Sequence, residues 1–102
     1  MNTKIYTKNI YDTLKKHKLT PFQIDVLFAT LKIPKGSVVT YKDLAFAVYR
    51  PNATRAVGTA LKKNPIPITI PCHRVIKSNG EIGSYSYGGK HKKYLLLKKE
   101  AF

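Results

Sequence analysis

The chain has 102 residues and 43% hydrophobic content, which suits one small folded domain with a single core and leaves no room for two. Nineteen Lys and Arg against five Asp and Glu give a net charge of +14, which points to a polyanionic partner, nucleic acid first. The single cysteine excludes an internal disulfide, and no stretch reaches the ~18 apolar residues of a membrane span or pairs a basic face with a long apolar stripe.

In chain order, residues 1–19 are polar and basic, and the opening "MNTKIYTKNI" lacks the apolar segment of a secretion signal. Ile10, Tyr11 and Leu14 have helical spacing, so a turn or two of amphipathic helix is expected in an appendage that lays a few side chains on the core. A helix start follows. Thr20 is a cap, Pro21 suits the first helical position, and Gln23 completes a capping box. Phe22, Val26, Ala29 and Ile33 recur at helical intervals up to the turn at Pro34 and Gly36. Thr40 with Asp43 opens a second helix whose buried face is Leu44, Ala45 and Val48. Arg50-Pro51-Asn52 stops it, and Asn52 is expected to cap a third helix, "ATRAVGTALKKN". Val57 and Leu61 then face the core, with Arg55, Thr59 and Lys62 on the opposite side. Two short helices joined by a tight turn read as a helix-turn-helix. "NPIPITIP" reads as extended chain, "RVIKSNGEIG" as a small hairpin turning at Asn79-Gly80, and "SYSYGG" as an irregular loop. "KHKKYLLLKKEAF" closes the chain as a helix anchored by Leu95, Leu96 and Leu97.

The chemistry centres on Cys72. A lone cysteine is most often a small buried hydrophobe. Here Pro71 fixes an extended approach, His73 supplies a base and Arg74 a permanent cation, and the surrounding positive charge favours thiolate, the nucleophilic form. Adjacent residues in extended chain point opposite ways, so His73 assists Cys72 only if the chain turns there. One Cys and three His at unpaired spacing make a poor zinc site. Arg55 precedes the small residues Ala56 and Gly58, which would let that helix lie close to a nucleic-acid groove.

"TPFQ", "IPKG", "TYKDLA", "RAVGTALKKNP" and "IPCHRVIKSNG", followed by a tyrosine-glycine loop and an "LLLKKE" helix, resemble in order the O6-alkylguanine-DNA alkyltransferases, also called methylated-DNA–protein-cysteine methyltransferases. The resemblance runs from Thr20 to the C-terminus and implies a mainly α fold, a winged-helix-like helix-turn-helix bundle with a small β-hairpin. It divides the chain into an extension, 1–19, and an alkyltransferase DNA-binding and active-site domain, 20–102, matching the C-terminal active-site domain of longer members. It implies single-turnover DNA repair by a monomer without cofactor or metal. The partner is double-stranded DNA containing O6-alkylguanine, bound in the minor groove with the damaged base flipped out. The implied location is cytoplasmic, or nuclear in a eukaryote.

By the same resemblance Cys72 is the alkyl acceptor, His73 the base acting through a water, Glu100 its orienting carboxylate and Asn64 the brace of the active-site turn. Tyr41 matches the residue that helps rotate the target phosphate and donates toward the leaving guanine; Arg55 matches the residue that fills the stack. Ala56, Gly58, Thr59 and Lys62 fall on the DNA-binding helix. Pro71, Val75, Tyr85 and Ser86 fall around the guanine pocket. Two rival readings differ in class. Alkyltransferase-like proteins bind the lesion without repairing it and carry tryptophan in place of the cysteine, which this chain keeps. A plain helix-turn-helix regulator would need a recognition helix rich in hydrogen-bonding side chains, which "ATRAVGTALKKN" is not.

Overall fold

The structure, a computed structural model, describes residues 3–101, with side chains from Lys8 onward. Five helices and one two-stranded parallel sheet make it mostly helical. In order these are α1 (Thr3–Lys16), α2 (Pro21–Leu31), β1 (Val39–Thr40), α3 (Tyr41–Ala47), α4 (Thr54–Lys62), a 3-10 turn (Cys72–Arg74), β2 (Val75–Ile76) and α5 (Gly89–Glu100).

Two of the helix starts follow the residues that announce them. The Thr20 hydroxyl accepts from the Gln23 N–H at 3.1 Å while the Gln23 side chain accepts from the Thr20 N–H at 3.1 Å. Thr40 and Asp43 repeat the reciprocal pair at 2.9 and 3.0 Å, fixing where α3 begins and hence where Tyr41, its first residue, stands. Helix α4 differs from the expectation: its cap is Ala53, and Asn52 makes no capping bond. The Ala53 N–H bonds back to the Arg50 carbonyl at 2.9 Å, so Asn52 is spent in the turn one residue too early to cap. That turn also holds Tyr49 at φ 60°, left-handed, which lets the Arg50 N–H reach the Ala45 carbonyl at 2.9 Å and close α3.

The core sits between α2, α3 and α4. Val26 and Leu27 from α2, Leu44 and Ala45 from α3, and Val57 and Leu61 from α4 are all buried. Each large side chain among them contributes about 1.5–3 kcal/mol through burial. The first nineteen residues give more than the turn or two expected: α1 runs for 14 residues. Ile10 and Leu14 are buried in the core and the Tyr11 ring stands 6.0 Å from that of Phe28. Packing against α2 stabilises a helix that would be marginal alone at this length.

Three further expectations give way. Residues 66–70 are not extended throughout, since Ile68 has φ 71° and the Ile70 N–H folds back to the Ile66 carbonyl at 3.0 Å. The small β-hairpin after Cys72 is replaced by a long-range pairing: Val75 and Ile76 align in parallel with Val39 and Thr40. The chain does turn at Asn79-Gly80, with the Lys77 N–H bonded to the Glu81 carbonyl at 2.9 Å, but Gly83 at φ 85° ends any returning arm. Helix α5 is not anchored by a leucine triplet. Leu95 is exposed, Leu96 and Leu97 are half-buried, and Lys93 is buried completely. The inward positions 93, 96, 97 and 100 follow the three-and-four spacing of one helix face, so α5 presents a lysine at one end of that face and a glutamate at the other.

Candidate active site

Cys72 opens the 3-10 turn that the sequence left open. Pro71 (φ −79°, ψ 65°) leads into it, the Arg74 N–H closes it on the Pro71 carbonyl at 2.9 Å, and the Val75 N–H bonds the Cys72 carbonyl. The turn is braced by Asn64, which is fully buried. Its Nδ2 donates to the Ile70 carbonyl at 2.9 Å and its Oδ1 accepts from the Ile66 N–H at 3.0 Å, so one amide ties the end of α4 to the segment entering the turn. The Tyr87 hydroxyl donates to the Asn64 carbonyl and adds a tether from the tyrosine loop.

Behind the cysteine lies a charged relay. His73 is fully buried, with Nε2 3.0 Å from Glu100 Oε2. Arg74 grips the same carboxylate with two bonds, Nε to Oε1 at 3.0 Å and a terminal nitrogen to Oε2 at 2.7 Å, and donates to the Ile33 carbonyl at 2.8 Å. The Arg74 guanidinium, with help from His73, holds the Glu100 carboxyl down to about 2, so it stays ionised. An ionised carboxylate only accepts, so His73 Nε2 carries a proton, and in the neutral imidazole Nδ1 is then the nitrogen with the lone pair. Nδ1 is buried without a hydrogen-bond partner among the described residues.

In front lies a cavity of about 350 Å³. Cys72, Tyr41, Tyr85 and Ser86 line one part of it; Arg55, Gly58, Thr59 and Lys62 of α4 line another. The thiol is therefore reached from the outward face of the helix-turn-helix. Of the residues singled out from the sequence, Ala56 is exposed on α4 and does not line the cavity, while Pro71 is buried beneath the turn. The Val75 carbonyl accepts from Lys93 Nζ at 2.5 Å.

Two features escaped the sequence. The first is Lys93, lost in the run "KHKK"; its signal was the helical face it shares with Leu96, Leu97 and Glu100. The second concerns charge: the expectation that surrounding cations favour thiolate does not hold on balance. Burial pushes the Cys72 thiol up, and the Asn64 amide and the Lys93 ammonium offset only part of that. Most of the chain's cations are solvated and screened, whereas desolvation acts on the sulfur directly. Among the described residues no group of three or more His, Cys, Asp or Glu is placed to hold a metal, and no helix is long and apolar enough to cross a membrane.

Residues 21–102 match the family "6-O-methylguanine DNA methyltransferase, DNA binding domain". A methylated-DNA–protein-cysteine methyltransferase of Cricetulus griseus is 52% identical over 80 residues, 78% of this chain and 38% of that protein. Among solved structures, Mycobacterium tuberculosis OGT in complex with DNA superposes with a TM-score of 0.79 at 43% identity, covering 81% of this chain and 51% of that one. S. pombe Atl1, in complex with damaged DNA containing O6-carboxymethylguanine, gives 0.69 at 34% identity, covering 78% and 74%. The chain thus spans about half or less of the length of the methyltransferases it matches. With four-fifths of its length under one family description and its fold shared with solved members, the chain belongs to the 6-O-methylguanine DNA methyltransferase family, in its DNA-binding domain.

Proposed function

We propose that this chain repairs DNA directly, taking the alkyl group from O6 of guanine in a duplex onto Cys72 in a single turnover. The observation that carries the reading is the placement of Cys72. It sits on a braced turn, with a buried His73 paired to Glu100 behind it and a cavity of about 350 Å³ in front that is shared with the basic face of α4. A cavity of that size suits a flipped base, and α4 is the second helix of the motif, the one that enters a groove. We assign the groove as the minor one, as the resemblance implies. Residues 20–102 form the alkyltransferase DNA-binding and active-site domain, corresponding to the C-terminal active-site domain of longer relatives, and residues 1–19 an extension whose helix packs on α2. The chain acts as a monomer.

The chemistry follows from the groups present. Burial keeps the resting thiol protonated, so a base is needed, and the lone pair of His73 Nδ1 is the acceptor, directly or through the water that the resemblance implies. Glu100 fixes the tautomer that leaves Nδ1 free and stabilises the imidazolium once it forms. The thiolate then attacks the alkyl carbon. An S–C bond forms as the C–O6 bond breaks, and its electron pair goes to the guanine. The net proton released by the thiol ends on the guanine, and Tyr41 at the cavity wall donates toward the base as its charge grows. Arg55 fills the vacated stack, which offsets part of the few kcal/mol that flipping costs. Nothing returns the thioether to a thiol, so each molecule acts once.

The test is intact-protein mass after incubation with a duplex containing O6-methylguanine. A gain of about 14 Da on the wild type and none on Cys72→Ala is the expected result. Tight lesion-selective binding with no mass gain would replace repair by lesion recognition alone.

A further inference from the structure

Lys93 is the one buried cation of the site that the proposed chemistry leaves idle. The residue is fully buried, yet it pairs with no carboxylate among the described residues. Its Nζ donates instead to three neutral oxygens: the Val75 carbonyl at 2.5 Å, the Ser84 carbonyl at 3.2 Å and the Tyr41 hydroxyl at 3.5 Å. The same nitrogen stands 5.6 Å from the centre of the Tyr41 ring. Gly83 makes the approach possible. A Cβ there would stand 3.2 Å from Tyr41 Oη and 3.6 Å from Lys93 Nζ. Burying an unpaired ammonium is costly and sets α5 against its own solvation, so its three acceptors invite a functional reading.

An ammonium has three protons and no lone pair. When it faces a hydroxyl, the hydroxyl must accept. We propose that Lys93 is a positioning residue that aims the Tyr41 proton: by occupying a lone pair of Tyr41 Oη, it turns the O–H away from α5 and into the cavity, where the leaving guanine needs a donor. The inference rests on the alkyl-transfer reading above and specifies how its donor is oriented. Without the ammonium the Tyr41 hydrogen is free to rotate, and with a neutral amine in its place the hydroxyl donates to the amine and is lost to the base.

That gives the device a pH signature. Burial lowers Lys93 to about 8, and the nearby Cys72 opposes the change. Facing the ammonium are Tyr41 from α3 and Cys72 from the 3-10 turn, with the Lys77 stem beside it across Gly83. Tyr41 itself is raised by burial above the usual phenol range, so its own ionisation comes later than the loss of charge on Lys93. As pH rises through about 8, the ammonium loses its proton and Tyr41 loses its orientation. The rate should fall there, in the range where a simple thiol reaction would speed up.

The experiment is the single-turnover rate of methyl transfer from an O6-methylguanine duplex, with protein in saturating excess, from pH 6 to 9.5. Wild type, Tyr41→Phe, Lys93→Met and the double variant are compared, with folding checked by circular dichroism. The expected result is an alkaline fall for wild type that is absent in Tyr41→Phe. Lys93→Met should cost about ten-fold in the wild-type background and little in the Tyr41→Phe background. The comparison of wild type with Tyr41→Phe stands even if Lys93→Met fails to fold. A wild-type rate that climbs or levels off through pH 9, or equal Lys93→Met losses in both backgrounds, would overturn the inference while leaving repair intact. No transfer at any pH would remove the repair reading and this inference with it.

Discussion

His73 and Glu100, 27 residues apart in sequence, meet at 3.0 Å between Nε2 and Oε2, and the same carboxylate holds Arg74. Glu100 thereby sets the tautomer of the buried imidazole while Arg74 keeps the carboxylate ionised. Glu100→Gln keeps the size and can still accept from His73, but it removes the charge that stabilises an imidazolium. Transfer should slow by on the order of ten- to a hundred-fold, measured as the single-turnover rate, with DNA affinity unchanged by gel shift.

The same carboxyl predicts an acid limit. Its folded value, about 2, lies below its ordinary 4.5, so ionised Glu100 stabilises the native state fully above that ordinary value. Its contribution drains away as pH falls from about 4.5 toward about 2. Thermal unfolding followed by circular dichroism between pH 2 and 6 should show the midpoint falling across that window, and a flatter fall in Glu100→Gln.

Asn64→Ala should be among the more damaging single changes. It strips the partner from the Ile66 N–H and removes one of the two donors on the Ile70 carbonyl, which keeps the Cys72 N–H at 2.8 Å. Leaving buried polar groups unpaired costs about 1–3 kcal/mol each. A loss of roughly 1–3 kcal/mol in denaturant unfolding is expected, together with slower transfer, because the brace of the cysteine turn is gone.

Gly83→Ala tests the crowded junction of the loop with Tyr41. The backbone there has φ 85°, and the added Cβ would stand 3.2 Å from Tyr41 Oη. A left-handed alanine costs about 1–2 kcal/mol. The melting temperature should drop accordingly, and transfer should fall further than the stability loss accounts for, since Tyr41 and Lys93 are pushed apart.

Binding to undamaged duplex should weaken steeply with salt. Each phosphate neutralised contributes a slope of about −0.9 in log K against log salt. Lys62→Ala, on the cavity side of α4, should lower that slope by about one. Fluorescence anisotropy from low to moderate salt provides the measurement.

The helix starts at Thr20 and Thr40 were legible because a capping box is local chemistry, complete within four residues. Cys72, His73 and Asn64 stand out through a motif, and Glu100 through its counterpart near the C-terminus; the pairing of Glu100 with His73 and the brace by Asn64 come only as what the resemblance implies, since spacing alone does not give them. Adjacent residues in a strand point apart, and periodicity does not show that a 3-10 turn replaces the strand at Cys72 and His73. The hairpin failed because Asn79-Gly80 is a strong turn signal whose first arm, Val75–Ile76, found a partner in Val39–Thr40 far upstream. Lys93 was missed because a lysine among lysines looks solvated; tertiary packing alone selected it for the interior.

Two side-chain contacts of the reactive centre, His73 with Glu100 and Tyr41 with Lys93, join residues 27 and 52 apart. The helix-turn-helix, by contrast, is built from neighbours along the chain. Closing the longer loops carries the greater entropic cost, so the DNA-binding scaffold should form first in folding and the reactive centre should lock last. Substitutions at Glu100 or Lys93 would then register chiefly as faster unfolding, with refolding rates nearly untouched.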